Sequence, residues 1–144
     1  MPEQDTVRLL RECDAGVKMG VSAIDEVLPH VTDPALREKL ENNKADHQKL
    51  DRRLQEQLDR CGDEGKEPNP MAKGMSWIKT NARLAMKDSD ATIADLITDG
   101  CNMGVKSLHK YLNQYAHASA DAKGITKDLI DLEQRLTLDV RMYL

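Results

Sequence analysis

Three side chains that can bind a metal ion or exchange a proton stand at positions where the sequence pattern otherwise has apolar residues. They are Asp14, His47 and Glu133, and each lies in a different stretch with apolar residues at helical spacing. Two carboxylates and one imidazole suit a single zinc or iron ion. The same groups can instead form a buried hydrogen-bond network that fixes the register of the helices. The spacing leaves both alternatives open.

The other reactive residue types show no pattern that indicates catalysis or cofactor binding. Three cysteines without close spacing predict neither a disulfide framework nor a CxxC site. Cys13, near a helix start, is either a reactive thiol or a buried inert one. No Ser-His-Asp order and no phosphate-binding glycine loop occurs. The remaining histidines, at a helix end or away from the apolar positions, are His30, His109 and His117.

The apolar spacing around these residues predicts an all-α chain. The first helix is expected to begin at Asp5, as N-cap, and to run to about Leu28. A turn follows, with Asp33 as N-cap and Pro34 at the first position of an antiparallel second helix that ends before Gly62. The buried positions of this second helix are expected to be Leu36, Leu40, Asn43, His47, Leu50, Leu54 and Leu58.

Two more long helices are predicted in the second half of the chain. One spans about 91–117 after an N-cap within 88–90, and the last begins after a turn near Ser119. In the helix 91–117 the expected core positions are Ala94, Thr98, Cys101, Val105, Leu108, Leu112 and Tyr115. In the last helix they are Ala122, Ile125, Leu129, Leu132, Glu133, Leu136, Val140 and Tyr143.

The link 62–89 is longer than a helical hairpin needs, so we expect it to cross back along the molecule. It opens with a loop rich in Gly, Pro and Asn. A short, basic, amphipathic helix is predicted at 70–86. Such a helix either packs on the bundle or lies on a membrane or partner surface.

A duplication organises the chain. The stretch 16–28 recurs as 100–112 at an offset of 84, which pairs Gly16 with Gly100 and Gly20 with Gly104. The two copies, about 5–61 and 90–143, predict one domain over 1–144, built as a four-helix bundle of two related antiparallel hairpins. Because Gly inside a helix costs about 1 kcal/mol relative to Ala, we expect the glycines to mark close contact between the first helix and helix 91–117. The alternative is a contact with the crossover helix or with a second subunit.

This plan, together with the repeated Gly-x-x-Met-Gly-Val stretch, resembles the ferritin-like superfamily over residues 5–143. The resemblance is closest to small bacterial members. It implies a ferritin-like bundle with a long crossover. In active members a two-iron centre is held by a Glu on each of two helices and a Glu-x-x-His on each of the other two.

That ligand pattern is mostly absent from this sequence. The matching positions hold Asp14, Lys44, His47, Thr98, Ile130 and Glu133. Two hard cations need several bridging carboxylates, and only Asp14 and Glu133 carry one. The resemblance therefore implies the fold and speaks against oxidase or iron-storage chemistry.

The charge and the hydropathy of the sequence argue against two classes of function, nucleic-acid binding and membrane spanning. The 21 Lys and Arg residues and 25 Asp and Glu residues are interspersed, which argues against a nucleic-acid partner. No window of roughly 18 uncharged apolar residues occurs, and the start of the chain does not resemble an export signal, so we expect a cytoplasmic protein with no membrane span.

The sequence leads to three functional hypotheses. The first is a non-enzymatic ferritin-like bundle that acts through self-association, as a homo-oligomer, or through a protein partner. The second is a metal-binding bundle with one zinc or iron ion at Asp14, His47 and Glu133, or a remnant of a two-iron centre. The third is a peripheral surface binder that uses the helix 70–86.

Overall fold

The computed structural model describes residues 2–66 and 89–144, and this part of the chain is all-helical. Its four α-helices are α1 (Pro2–Val27), α2 (Pro34–Arg60), α3 (Asp90–Gln114) and α4 (Ala120–Val140). Single 3-10 turns follow α1 and α4, at Leu28–His30 and Arg141–Tyr143. The predicted helix 70–86 lies outside the described residues.

The first helix begins earlier than predicted. It starts at Pro2, so Asp5 lies in its first turn and is not the N-cap. The Asp5 carboxylate instead accepts a hydrogen bond from the backbone N–H of His117 at 3.1 Å. An acidic residue is favourable both as a cap and inside the first turn, because both places lie at the positive end of the helix dipole. The sequence pattern therefore did not distinguish the two positions.

The prediction for α2 is confirmed at both ends and along its core face. Asp33 caps the helix by accepting from the backbone N–H of Ala35 at 2.9 Å, and Pro34 is the first residue. After the last residue, Arg60, Gly62 adopts a positive φ of 68°, a conformation that favours glycine. The buried residues are the seven that the spacing predicted, including Asn43 and His47.

Serine side chains cap both helices of the second half. Ser89 Oγ accepts from the backbone N–H of Thr92 at 3.2 Å, and Ser119 Oγ accepts from that of Ala122 at 3.1 Å. Helix α3 ends at Gln114, three residues before the predicted end. Its core face is also rotated relative to the prediction, because Ile93 and Ile97 are buried whereas Thr98, Val105, Leu112 and Tyr115 are only half-buried.

Helices α1 and α4 run parallel in a constant register. Thr6 accepts from the backbone N–H of Ser119, and the Cys13 thiol lies 3.1 Å from Thr126 Oγ1. The residue numbers in both pairs differ by 113. A constant difference means that the two helices advance together along the bundle.

Helices α2 and α4 run antiparallel. Lys39 Nζ donates to the backbone carbonyl of Asp139 at 3.4 Å, whereas Arg53 pairs with Asp128 at 2.8 Å. Because α3 and α4 form a hairpin joined by a short turn, α3 runs in the same direction as α2. The end of α2 and the start of α3 therefore lie at opposite ends of the bundle, as a crossover connection requires.

The apolar core consists of two clusters that meet at the same level on all four helices. One cluster contains Leu9, Leu54 and Leu129, and the other contains Ile24, Leu40 and Leu136. The boundary falls between Val17 and Ile24 on α1, Leu40 and Leu50 on α2, Cys101 and Leu108 on α3, and Leu132 and Leu136 on α4. The residues at this boundary between the two clusters therefore form the centre of the bundle.

The outward faces carry ion pairs between the helices. Ion pairs such as Lys44 with Asp25, at 2.5 Å, link neighbouring helices at half-exposed positions. Within residues 2–66 and 89–144, no helix combines the length and the apolar content that crossing a membrane requires.

Candidate functional site

His47 lies in the middle of α2 with its imidazole turned into the bundle, where 1% of the residue is exposed. Its Nδ1 is 3.0 Å from the backbone carbonyl of Asn43. A carbonyl only accepts, so Nδ1 carries the hydrogen and Nε2 presents a lone pair. No group in the described part of the chain hydrogen-bonds to Nε2, which is buried. Burial lowers the pKa of His47 and outweighs the opposite effect of the Asn43 carbonyl, so the neutral ring is favoured.

Glu133 lies in α4 and is also buried, with 8% of the residue exposed. Burial raises the pKa of its carboxyl from 4.5 to about 8 because the charged form loses its hydration. Its Oε2 has no hydrogen-bond partner among the described residues. At pH 7 the protonated, neutral form of Glu133 therefore predominates.

Each of these two side chains lies directly against a glycine of the neighbouring helix. A Cβ atom added to Gly20 would stand 2.9 Å from His47 Nε2. One added to Gly104 would stand 2.5 Å from Glu133 Oε2. Both distances are shorter than ordinary van der Waals contact, so the glycines leave room for the imidazole and the carboxyl group.

This arrangement corrects the prediction that the glycine stripes of α1 and α3 pack against each other. Gly20 faces α2 and Gly104 faces α4, so each serves its own hairpin. Gly100 is exposed, and a Cβ added there would meet nothing within 4 Å. The cost of glycine in a helix, about 1 kcal/mol, is offset by a side chain of the partner helix and not by close backbone packing.

The two glycines and the two titratable residues form one layer across the bundle, which we call the polar layer: Gly20, His47, Gly104 and Glu133. Gly20 and Glu133 differ by 113, the offset that relates α1 to α4 at the Cys13–Thr126 contact. Since Gly20 contacts His47 and Gly104 contacts Glu133, all four lie at one level. It is the level at which the two apolar clusters meet.

One further buried polar atom lies near this level. Asn43, one turn from His47, donates through Nδ2 to the backbone carbonyl of Leu132 at 3.1 Å, and its Oδ1 has no partner among the described residues. The hydroxyl of Thr98 on α3 is unpartnered in the same sense, but Thr98 lies six residues from Gly104, or roughly 9 Å along the helix. Buried polar atoms usually have partners, so three unpartnered atoms at one level call for an explanation.

Asp14, the third predicted site residue, belongs to a different cluster. Its buried carboxylate accepts from Gln55 Nε2 at 2.8 Å and from the backbone N–H of Lys66 at 2.9 Å, and it pairs with Lys18 Nζ at 3.0 Å. Gly65, with a φ of +89°, passes so close that a Cβ there would overlap the carboxylate. Asp14 therefore anchors the loop after α2 onto α1.

The structure thus places His47 and Glu133 at one level of the bundle and Asp14 at another. Asp14 lies six residues from Gly20, or roughly 9 Å along α1, and its partner Gln55 lies eight residues from His47, roughly 12 Å along α2. In the described ranges, no three His, Cys, Asp and Glu side chains are placed to hold a metal ion. The predicted trio is not assembled, because the level of His47 meets α1 at Gly20.

The two-iron centre that the ferritin-like resemblance implies does not fit these residues. Lys44, at a carboxylate position of that motif, points outward to Asp25. Ile130, at another, is part of the apolar core, and Thr98 carries no charge. The buried polar atoms that are present offer one carboxylate and one imidazole, which is too little for two bridged ions.

The buried cysteines offer no reactive thiolate. Burial raises the pKa of Cys13 to about 12, although the contact with Thr126 partly opposes it. Burial, with a smaller contribution from the charge of Glu133, raises the pKa of Cys101 to about 12. Both thiols stay protonated at neutral pH, in agreement with the inert alternative for Cys13.

The contacts of Gly20 and Gly104 were not predicted, although the sequence contains a signal for them. The glycines are related by an offset of 84, and His47 and Glu133 by one of 86. Two matched glycines together with two matched polar core residues indicate that each pair belongs to one hairpin. The unpartnered oxygen of Asn43 had no comparable signal, because it depends on how the amide is turned.

Comparison with known proteins does not assign the polar layer to a characterised site. The chain matches no protein-family model, no curated protein and no solved structure. The function must therefore be inferred from the residues and contacts described above.

Proposed function

We propose that this chain is a non-enzymatic helical bundle that acts through self-association, with its apolar C-terminal end as the contact. The observation that supports the proposal is the exposure of three large apolar side chains within the last seven residues. Leu138 is 58% exposed, Met142 72% and Leu144 61%. Exposed apolar side chains that cluster in one place are typical of interaction surfaces.

This C-terminal end is held in place by α2. Lys39 Nζ lies 3.2 Å from Met142 Sδ and 5.7 Å from the centre of the Tyr143 ring. Leu138 and Met142 are four residues apart, which places them on the same side of a helical segment. The apolar side chains are thus presented by an ordered segment, which lowers the entropic cost of binding.

A second copy of the chain is the simplest occupant of this surface. A twofold contact uses the same surface on both copies, so three exposed side chains on each would be buried together. Complete burial of a fully exposed Leu or Met side chain contributes about 1.5 to 3 kcal/mol, and each of these side chains, which are already partly buried, contributes somewhat less. The sum is comparable with the 4 to 15 kcal/mol that association costs in lost freedom, which suits a weak dimer.

Sedimentation equilibrium of the wild type, Met142→Lys and Met103→Lys tests this proposal. The control is closely matched, because Met103 has the same residue type and the same 72% exposure but lies on α3. We expect the wild type and Met103→Lys to exceed the 16.2 kDa of one chain as concentration rises, and Met142→Lys to remain monomeric. A monomeric wild type at 100 μM, or a loss of association in Met103→Lys alone, would contradict the proposal.

We further propose a ferritin-like arrangement of this bundle in a cytoplasmic protein. The parallel directions of α2 and α3 and the matched glycine contacts of the two hairpins support the first part. A different protein partner at the same C-terminal surface is the alternative to a second copy. The surface-binding hypothesis for the helix 70–86 concerns residues outside those described.

A further inference from the structure

Three buried side chains at the centre of the bundle each have one polar atom without a hydrogen-bond partner among the described residues. The atoms are Asn43 Oδ1, His47 Nε2 and Glu133 Oε2, and their residues are 3%, 1% and 8% exposed. The Asn43 side-chain amide already donates to the Leu132 carbonyl, and the N–H of the His47 ring donates to the Asn43 carbonyl. Because a buried polar atom without a partner is costly, all three atoms require one.

The hydrogen-bonding roles of these atoms complement those of a water molecule. His47 Nε2 presents a lone pair, since Nδ1 carries the hydrogen, and the Asn43 amide oxygen can only accept. The carboxyl group of Glu133 supplies a donor, because burial raises its pKa to about 8 and keeps it protonated at pH 7. Two acceptors and one donor match the two hydrogens and a lone pair of water, and a buried water makes about three hydrogen bonds.

These groups are placed for a bridge and not for a direct bond. His47 and Glu133 lie at one level of the bundle, yet Nε2 and Oε2 have no protein partner, so the imidazole and the carboxyl group do not bond to each other. The side chain of Asn43, one turn along α2 from His47, reaches α4 at Leu132, directly before Glu133. All three polar atoms therefore belong to the same part of the α2–α4 interface.

Gly20 and Gly104 leave room beside two of the polar atoms. A Cβ at Gly20 would stand 2.9 Å from His47 Nε2, and one at Gly104 would stand 2.5 Å from Glu133 Oε2. Neither glycine has a side chain that could cover these atoms. Buried sites that are polar and roomy hold water, whereas apolar cavities stay dry. The two glycines thus favour a hydrated site over a dry contact.

We propose that one internal water molecule is bound at the polar layer, where it donates to His47 Nε2 and Asn43 Oδ1 and accepts from the Glu133 carboxyl group. The water joins the two hairpins, because the first two residues lie on α2 and Glu133 lies on α4. Its exchange with solvent requires the bundle to open, so this water stays bound far longer than surface hydration. The proposal is independent of the self-association proposed above.

Oxygen-17 magnetic relaxation dispersion, which counts long-lived internal waters, tests the proposal on the wild type, Glu133→Leu and Thr126→Val. Glu133→Leu removes the donor and should hold at least one water fewer than the wild type. Thr126→Val is the matched control on α4, because Thr126 is also buried but its hydroxyl already donates to the Ala122 carbonyl at 2.8 Å. This control should leave the count unchanged.

Equal counts in the wild type and Glu133→Leu, or an equal or larger loss in Thr126→Val, would overturn the proposal. If Glu133→Leu fails to fold, Glu133→Gln decides, because its amide keeps a donor and lacks a carboxyl hydrogen that exchanges rapidly with solvent. Its NMR spectrum should contain a direct nuclear Overhauser cross-peak between water and the ring hydrogens of His47. Absence of that cross-peak would equally overturn the proposal.

Discussion

At the residue scale, burial shifts the pKa values of His47 and Glu133 in opposite directions. It lowers that of the imidazole and raises that of the carboxyl to about 8, so both side chains are neutral near pH 7. A neutral acid and a neutral base are far cheaper to bury than two unpaired charges. The centre of the bundle can therefore contain both without a direct ion pair between them.

Glu133→Gln should remove a pH dependence from the stability of the protein. The folded-state pKa of Glu133 is raised, so its stabilising contribution is complete below the ordinary value of 4.5 and is lost as pH rises through about 8. The wild type should therefore lose on the order of 3 to 5 kcal/mol relative to Glu133→Gln between pH 4.5 and 9. Urea unfolding of both proteins in EDTA measures this difference, and a constant difference across the range would contradict the buried, protonated carboxyl.

Helical spacing predicted that Asp14, His47 and Glu133 are buried, but not which of them lie at the same level of the bundle. Asp14, His47 and Glu133 were all placed correctly in the core. Their positions along the bundle axis depend on how each helix is shifted relative to its neighbours. The shift between α1 and α2 places Gly20, and not Asp14, opposite His47. Long-range register of this kind follows from packing and from the loop at Lys66, not from local spacing.

At the element scale, each hairpin uses a glycine on one helix to admit a polar side chain from the other. Gly20 on α1 does this for His47, and Gly104 on α3 does it for Glu133. Both copies of the duplicated sequence thus pack a buried polar side chain against a glycine, although the polar residue is His in one copy and Glu in the other. The glycine positions matter to each hairpin separately, so the two should be separately sensitive to substitution.

Alanine at Gly104 and at Gly100 should have different effects on stability. The two positions lie one turn apart on α3, but only Gly104 faces a buried side chain. Gly100→Ala should stabilise the protein by about 0.5 to 1 kcal/mol through helix propensity. Gly104→Ala must displace the Glu133 carboxyl group, so it should be less stable than Gly100→Ala by about 1 to 3 kcal/mol. Thermal unfolding gives this comparison, and equal stability of the two variants would show that Gly104 is not needed for space.

Local chemistry predicted the elements more accurately than their contacts. The cap, the first proline and all seven buried positions of α2 follow from short-range rules, and the structure agrees with them. The expected contact between the glycine stripes of α1 and α3 was wrong, because a glycine permits close approach of any neighbour. The neighbour that fills the space beside a glycine is set by the side chain that lies opposite it. That side chain could not be identified from the sequence, because the register between the helices was not known.

At the scale of the whole molecule, the polar layer divides the apolar core into two clusters. Each of the four helices contributes to both clusters and crosses the boundary once. A polar layer in an apolar core disfavours shifted registers, because a shift would bury its groups against apolar side chains. We infer that the layer helps to specify one alignment of the two hairpins.

The duplication and the helical spacing of the apolar residues were enough to predict an all-helical bundle with a crossover. The match of α1 with α4 at a constant offset, and hence the common level of the two polar residues, required the structure. A four-helix layer depends on every helix being in register at once. A measurement at any one of its members therefore reports on the whole bundle.

The most direct test of the polar layer is the protonation state of His47, observed by nitrogen-15 NMR of the imidazole ring between pH 5 and 8. The arrangement requires the hydrogen on Nδ1, bonded to the Asn43 carbonyl, and a bare Nε2 against Gly20. We expect this neutral tautomer to persist below pH 6.5, because burial lowers the pKa of His47. A ring that titrates near pH 6.5, or that carries its hydrogen on Nε2, would contradict the proposed centre of the bundle.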